Sequence, residues 1–223
     1  MLKKSKREIL ERLRIINQYL YKVKNTKRTS KEAIMIIEKN LLQITKKLNK
    51  LADVFIRPDY KLLELKKIAK ELRSICKQVY ASIIHAGVEF QSYTVLIMLA
   101  KSLNDCGCHD YATKLFLHIL ERATNYSEIA DLVDKTIECG LLDIALEGLK
   151  KLRKMGFSYF EIVYNEALIN YLIGRDLEAF RLLKLSLREF GEKRQLLGLL
   201  VAVNIALGFF DEAKEILMKI RGH

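Results

Sequence analysis

Asn170-Tyr-Leu-Ile-Gly-Arg-Asp-Leu-Glu-Ala-Phe180 carries the pattern that the C-terminal half of the chain repeats. Its Gly-x4-Ala core occurs as Gly107/Ala112, Gly140/Ala145, Gly174/Ala179 and Gly208/Ala213, with steps of 33, 34 and 34 residues between glycines. One glycine and one alanine in constant phase, at a period near 34, mark an array of helix–turn–helix units. Glycine accommodates a tight turn between two helices, and alanine lets the second helix approach the first closely. A single such hairpin cannot bury its apolar face, so stacked neighbours must complete the core. The units fall at about 93–125, 126–159, 160–193 and 194–221.

The composition agrees. Among 223 residues there are one proline and ten glycines, and half the chain is hydrophobic, which favours an all-α fold over disorder. The longest uncharged apolar run, Leu196 to Phe210, is too short to span a bilayer and predicts a buried helix. No signal peptide is expected after Met-Leu-Lys-Lys-Ser-Lys, which points to a cytoplasmic protein without a membrane span. The four cysteines are expected to be reduced thiols rather than a disulfide framework.

Upstream of the repeats the periodicity changes. Ile9, Leu13, Ile16, Leu20 and Val23 form a narrow seam on a helix over about Lys4–Lys24. Thr29 with Glu32 matches a capping box, opening a second helix that runs to about Phe55 with Ile37, Leu41, Ile44 and Leu48 in the same rhythm. The pair predicts an antiparallel hairpin. Pro58 and Asp59 interrupt it, and a third, linking helix follows over Tyr60 to about Ala86, ended by Gly87. Two domains are therefore expected, 1–87 and 93–223.

The net charge of +12 belongs to the first part. Residues 1–80 hold 22 Lys/Arg against 8 Asp/Glu, and the remainder 17 against 19. The basic patch comprises Lys3, Lys4, Lys6 and Arg7, and Lys22, Lys24, Lys27 and Arg28, at the two ends of the first helix. Such a patch can attract nucleic acid by counterion release, although Tyr19, Tyr21 and Phe55 offer little aromatic interleaving. A solvated basic face, or one docking on an acidic protein, is the alternative.

The array resembles the tetratricopeptide repeat (TPR) family. The resemblance rests on the period, the Gly-x4-Ala turn and Asp211-Glu212-Ala213. It also rests on Ala100, Val133, Ala167 and Val201 seven residues before each glycine, with Leu96, Ile129, Val163 and Leu197 four earlier. The chain departs from the family in lacking tryptophan and a proline at the repeat ends, and in placing Glu166 where Leu99, Leu132 and Leu200 stand in the other units. Related α-solenoid repeats share the same hairpin. The resemblance implies a right-handed α-solenoid of about four hairpins whose first helices line a groove for a peptide or partner helix. By carry-over that groove comprises Thr94, Ile97, Met98, Lys101, Ala130, Asp131, Asp134, Glu161, Tyr164, Asn165, Leu168, Gly198, Leu199, Ala202 and Ile205. The set of two Lys, two Asn and Arg that the chaperone-binding members use is absent, since only Lys101 and Asn165 have suitable side chains. A groove grading from acidic to apolar suits an amphipathic or basic helix. The N-terminal helices, folding back, would compete for the same face.

The last unit contains the apolar helix Leu196–Phe210 and no further polar capping helix is expected after its second helix, so a homodimer through the C-terminal repeat is an expected partner arrangement. The alternative is that Lys214, Glu215, Lys219 and Arg221 make that second helix its own cap. Cys106, Cys108, His109 and Cys139 lie at neighbouring turns, but Cys-x-Cys-His matches no strong zinc signature, and neither metal nor cofactor is expected. There is no phosphate-binding glycine loop, no His-Glu-x-x-His and no Gly-x-Ser-x-Gly, and the four histidines have no carboxylate partners at helical spacing, so an enzyme is not expected. The sequence therefore points to a non-catalytic protein–protein interaction scaffold. A nucleic-acid-associated regulator, with the repeats as dimerisation module, is the alternative.

Overall fold

The computed structural model describes residues 2–25, 31–55, 62–84, 93–157 and 160–221, all in helices and their turns. Among them are α1 (Leu2–Asn25), α2 (Lys31–Phe55), α3 (Leu62–Ile84), α4 (Thr94–Asp105), α5 (His109–Arg122), α6 (Tyr126–Glu138), α7 (Leu142–Lys154), α8 (Phe160–Leu172), α9 (Asp176–Phe190), α10 (Arg194–Ala206) and α11 (Phe210–Arg221). No strand occurs among the described residues, and no helix there is long and apolar enough to cross a membrane. The capping residue Thr29, the breakers Pro58 and Asp59, and Gly87 lie outside the described residues.

Heptad spacing forms the first three helices because it puts one apolar stripe on each. Leu13, Ile16, Leu20 and Val23 of α1 are fully buried, as are Ile37, Leu41, Ile44 and Leu48 of α2 and Leu72, Ile75 and Val79 of α3. α1 packs on α2 and α3. The Arg12 guanidinium donates to the Lys50 carbonyl at 2.6 Å, joining the first half of α1 to the end of α2 as an antiparallel pair requires.

The chain forms two compact units, Met1–Leu141 and Leu142–His223. The periodicity change at residues 87–93 is therefore not a boundary of packing. In the N-terminal unit α2 packs on α4 and α3 packs on α5, so the basic hairpin and the first Gly-x4-Ala unit share a core. The helices of this unit form two layers, α2–α4–α6 and α1–α3–α5. A hydrogen-bond relay through the buried Glu128 fastens α4 to α6. Asn125 caps α6 by accepting from the Glu128 N–H at 2.9 Å, and the buried Glu128 carboxylate accepts from the Tyr93 N–H, at the start of α4, also at 2.9 Å.

In the C-terminal unit α8 packs on α7, α9 and α10, and α10 packs on α9 and α11. Its core is Phe160, Ala167, Ala179, Leu183, Leu196, Leu199, Leu200 and Val203. Lys193, just before α10, places its ammonium 4.0 Å above the Phe160 ring, a cation–π contact at the rim of this core. Glu166, where three other units carry leucine, forms an ion pair with Arg153 of α7, which explains that departure.

The four repeated glycines close four equivalent turns. Each has φ between 72° and 81°: Gly107, Gly140, Gly174 and Gly208. At each, the glycine N–H and the next residue's N–H bond back to the end of the preceding helix. Arg175 donates to Asn170 and Gly174 to Tyr171, with Cys108/Leu103, Leu141/Thr136 and Phe209/Asn204 as counterparts of the longer bond. This is the Schellman closure, which satisfies two carbonyls that the helix end leaves unpaired. The following alanines, Ala112, Ala145, Ala179 and Ala213, are buried.

An alanine Cβ at Gly174 would meet nothing within 4 Å, so its penalty is purely that of a left-handed backbone. Gly174→Ala should destabilise the C-terminal unit by about 1–2 kcal/mol, and Gly174→Asn by less, as measured by denaturant unfolding.

Candidate interaction surface

The residues that the repeat pattern assigns to a groove divide between the two units. Lys101, Asp131 and Asp134 belong to the N-terminal one, and Tyr164, Asn165, Leu168, Leu199 and Ala202 to the C-terminal one.

In the N-terminal unit they form part of a charged cluster on α4 and α6. Lys101 Nζ lies 3.0 Å from Asp105 Oδ2 and 3.7 Å from Glu138 Oε2, while Lys135 Nζ donates to Glu138 Oε1 at 2.6 Å. Hydrogen bonding to Asp105 outweighs burial and raises the Lys101 pKa. Hydrogen bonding to Lys135 draws the Glu138 carboxyl below the usual glutamate value, against a smaller effect of burial. Asp131 behaves oppositely. Partial burial pushes its carboxyl up and the neighbouring Asp134 and Glu138 add to this, with Lys135 opposing. Asp134 is exposed. The cluster thus presents half-exposed carboxylates beside two lysines already engaged by acids, a surface suited to a basic group.

Ile97, carried over as a groove position, is fully buried in α4. α2 packs on α4, so the N-terminal hairpin takes part of the helix surface that the family pattern would leave to a ligand. Thr94 and Met98 remain exposed.

In the C-terminal unit Tyr164 and Leu168 are half-buried and lean on the core, Tyr164 stacking on Phe160 at 5.8 Å between centroids. Asn165 and Ala202 are half-buried. Leu199 is buried within the core, so it cannot line a groove. Its position on α10 faces α8 and α9 because that helix is apolar around most of its circumference. Neither described concavity of this unit includes these residues. One, of about 420 Å³, is lined by Arg153, Gly156, Phe157, Ile162, Val163, Leu182, Leu185, Ser186 and Glu189. The other, of about 350 Å³, lies among Glu192, Arg194, Leu197, Lys219 and Ile220. Large apolar side chains emerge along α9–α11, with Leu177 71%, Phe210 66% and Met218 63% exposed.

Of the basic patch, Lys22 is exposed on α1 with its ammonium 5.4 Å from the Tyr19 ring. Lys3, Lys4, Lys6, Arg7 and Lys24 lie on α1, but their side chains are outside the described residues, as are Lys27 and Arg28 altogether. Exposed Lys39, Lys46 and Lys50 on α2 and Lys70 and Lys77 on α3 extend the basic character beyond the two clusters read from the sequence.

The cysteines at the turns do not converge. Cys106 Sγ donates to the Leu48 carbonyl at 3.3 Å, Cys108 meets Cys76 of α3, and burial pushes the Cys139 thiol up to about 11. Among the described residues no three His, Cys, Asp or Glu side chains gather as metal ligands. Cys76 escaped the sequence reading because it lies in the heptad helix, 32 positions from its neighbour. The Lys101–Asp105 and Lys135–Glu138 pairs were visible as helical i,i+4 and i,i+3 spacings. The Lys101–Glu138 contact between α4 and α6 was not.

The pH dependence of the cluster follows from these directions. Glu138's stabilising pairs are complete above the ordinary glutamate value of 4.5 and are lost as pH falls through its lowered pKa. Asp131 offsets part of this, because protonation relieves its burial. Glu138→Gln should therefore show a shallower fall in Tm between about pH 5 and pH 3 than the parent protein, and Asp131→Asn a steeper one, both read by thermal melts across that range.

No family model matches the sequence, and no curated protein matches it.

Proposed function

We propose that this protein is a non-catalytic scaffold of TPR-like hairpins that binds a helical or extended segment of a protein partner. The observation that carries the reading is the fourfold recurrence of one turn, with a left-handed glycine, Schellman hydrogen bonds and a buried alanine at the same offset. Equivalent hairpins stacked in register form an α-solenoid, an architecture that offers extended surfaces rather than enclosed sites. Within the N-terminal unit the α4–α6 carboxylates suit a basic segment, and within the C-terminal unit Tyr164 and Leu168 suit apolar side chains. The large exposed apolar side chains of α9–α11 are consistent with a second copy docking at the C-terminal hairpin.

A second reading has its own observation. The excess of 22 basic over 8 acidic residues in the first 80, with exposed lysines on α1, α2 and α3, suits contact with nucleic-acid phosphates. In that reading the repeats serve as the dimerisation module.

One experiment separates them: affinity capture from the native source, with and without nuclease, at low and moderate salt. A scaffold retains its protein partner after nuclease, and the combined Asp134→Lys and Tyr164→Lys variant, verified as folded by circular dichroism, reduces that capture at least tenfold. Loss of all partners with nuclease, together with a steep salt dependence and sensitivity to Lys22→Glu, would overturn the scaffold reading in favour of the second.

A further inference from the structure

Cys76 of the linking helix α3 and Cys108 at the α4–α5 turn meet in the core of the N-terminal unit. Their sulfurs are 2.7 Å apart, Cys76 is fully buried and Cys108 is 6% exposed. We infer that these two residues form a disulfide site, a covalent clip between α3 and the α4–α5 turn that closes under oxidising conditions.

The backbone on both sides is already held in place for it. Cys108 is fixed by the Schellman turn, its N–H donating to the Leu103 carbonyl at 2.9 Å, and its own carbonyl accepts from Tyr111 and Ala112 at the start of α5. Cys76 stands between Ile75 and Val79, both buried. Contacts bracket the sulfurs along α3. Three residues before Cys76, Arg73 forms an ion pair with Asp110 at 3.0 Å, and four residues after it, Tyr80 packs on Tyr111 with ring centroids 5.9 Å apart. α3 and the start of α5 are thus aligned across the two thiols. Bond formation brings the sulfurs from 2.7 Å to about 2.05 Å.

The electrostatics distinguish the roles of the two. Their shared hydrogen bond draws Cys108 toward the thiolate, with the Arg73 guanidinium assisting and burial opposing. The same hydrogen bond, together with burial, holds the proton on Cys76. Cys108, the less buried of the two and the one beside the Arg73 guanidinium, is the nucleophile. Its thiolate attacks one sulfur of a low-molecular-weight disulfide such as oxidised glutathione, expelling one glutathione thiolate and leaving a mixed disulfide on Cys108. The Cys76 sulfur, giving up its proton to the departing thiolate, then attacks the Cys108 sulfur and expels the second glutathione. Two protein thiols are oxidised and one disulfide is reduced to two thiols. The other cysteines are poor competitors. Cys106 Sγ is engaged by the Leu48 carbonyl, and the Cys139 thiol is raised to about 11 by burial.

The test uses the full chain equilibrated with oxidised glutathione along two routes, in the folded state and during refolding from guanidinium, so that slow access to a buried thiol cannot decide the result. Free thiols are then alkylated and non-reduced peptides mapped by mass spectrometry. The expected product links the Cys76 and Cys108 peptides and leaves Cys106 and Cys139 alkylated. Closing a loop of this length should raise the melting temperature of the N-terminal unit by about 5–15 °C. That gain should vanish with dithiothreitol, and be absent in Cys76→Ser and in Cys108→Ser. Four alkylated cysteines from both routes, a glutathione adduct that persists on Cys108 with Cys76 present, or a different cysteine pair would overturn the assignment.

Discussion

Every hairpin of the second half of this chain depends on one residue entering left-handed backbone space. Gly107, Gly140, Gly174 and Gly208 adopt nearly the same positive φ, and the two hydrogen bonds that follow each one end the first helix and aim the second. A residue with a Cβ is disfavoured in that conformation, so glycine recurs there whatever else in the unit drifts. The alanine five positions later completes the constraint. Its small side chain is buried in every unit, where a larger one would have to displace packed neighbours.

From this constraint the rest of each unit follows by burial. The first helices of the hairpins carry apolar residues on more than one face because they are covered on more than one side. α10 is the clearest case, with Leu196, Leu197, Leu199, Leu200, Val201 and Val203 all buried. The second helices are more amphipathic, and in the C-terminal unit they leave Leu177, Phe210 and Met218 exposed. Polar residues enter the core where a helix carbonyl can receive them. Thr136 donates to Leu132, Asn170 to Glu166 and Ser186 to Leu182, each within its own helix. Such local bonds let a polar side chain sit in a packed interior at little cost.

The basic hairpin shows how two regions of different composition can share one core. Its seam residues pack α1 on α2 and α3, and the same helices extend contacts to α4 and α5. Charge stays on the outer face while leucine and isoleucine face inward, so a strong excess of lysine is compatible with dense packing. The Cys76–Cys108 contact lies at this junction, where α3 meets the first glycine turn.

Local periodicity was enough to read the helices, their turns and the heptad seams. A 34-residue step, an i,i+3/i+4 stripe and a glycine at a fixed offset are properties of short stretches, and short-range sterics decide them. Glu166 already stood out as a departure in the sequence. Its partner Arg153 did not, since ion pairing between helices depends on how those helices are placed. The same holds for Ile97 and Leu199, assigned to a groove by position yet buried, because which face a repeat leaves open depends on its neighbours. Sequence by itself determined an all-helical chain with a repeating glycine turn and a basic first third. Only tertiary structure decided that the packing boundary falls at Leu141 rather than near residue 90, that α2 covers part of α4, and that Cys76 meets Cys108. Those outcomes depend on contacts between residues distant in the chain, and no local pattern encodes the distance between them.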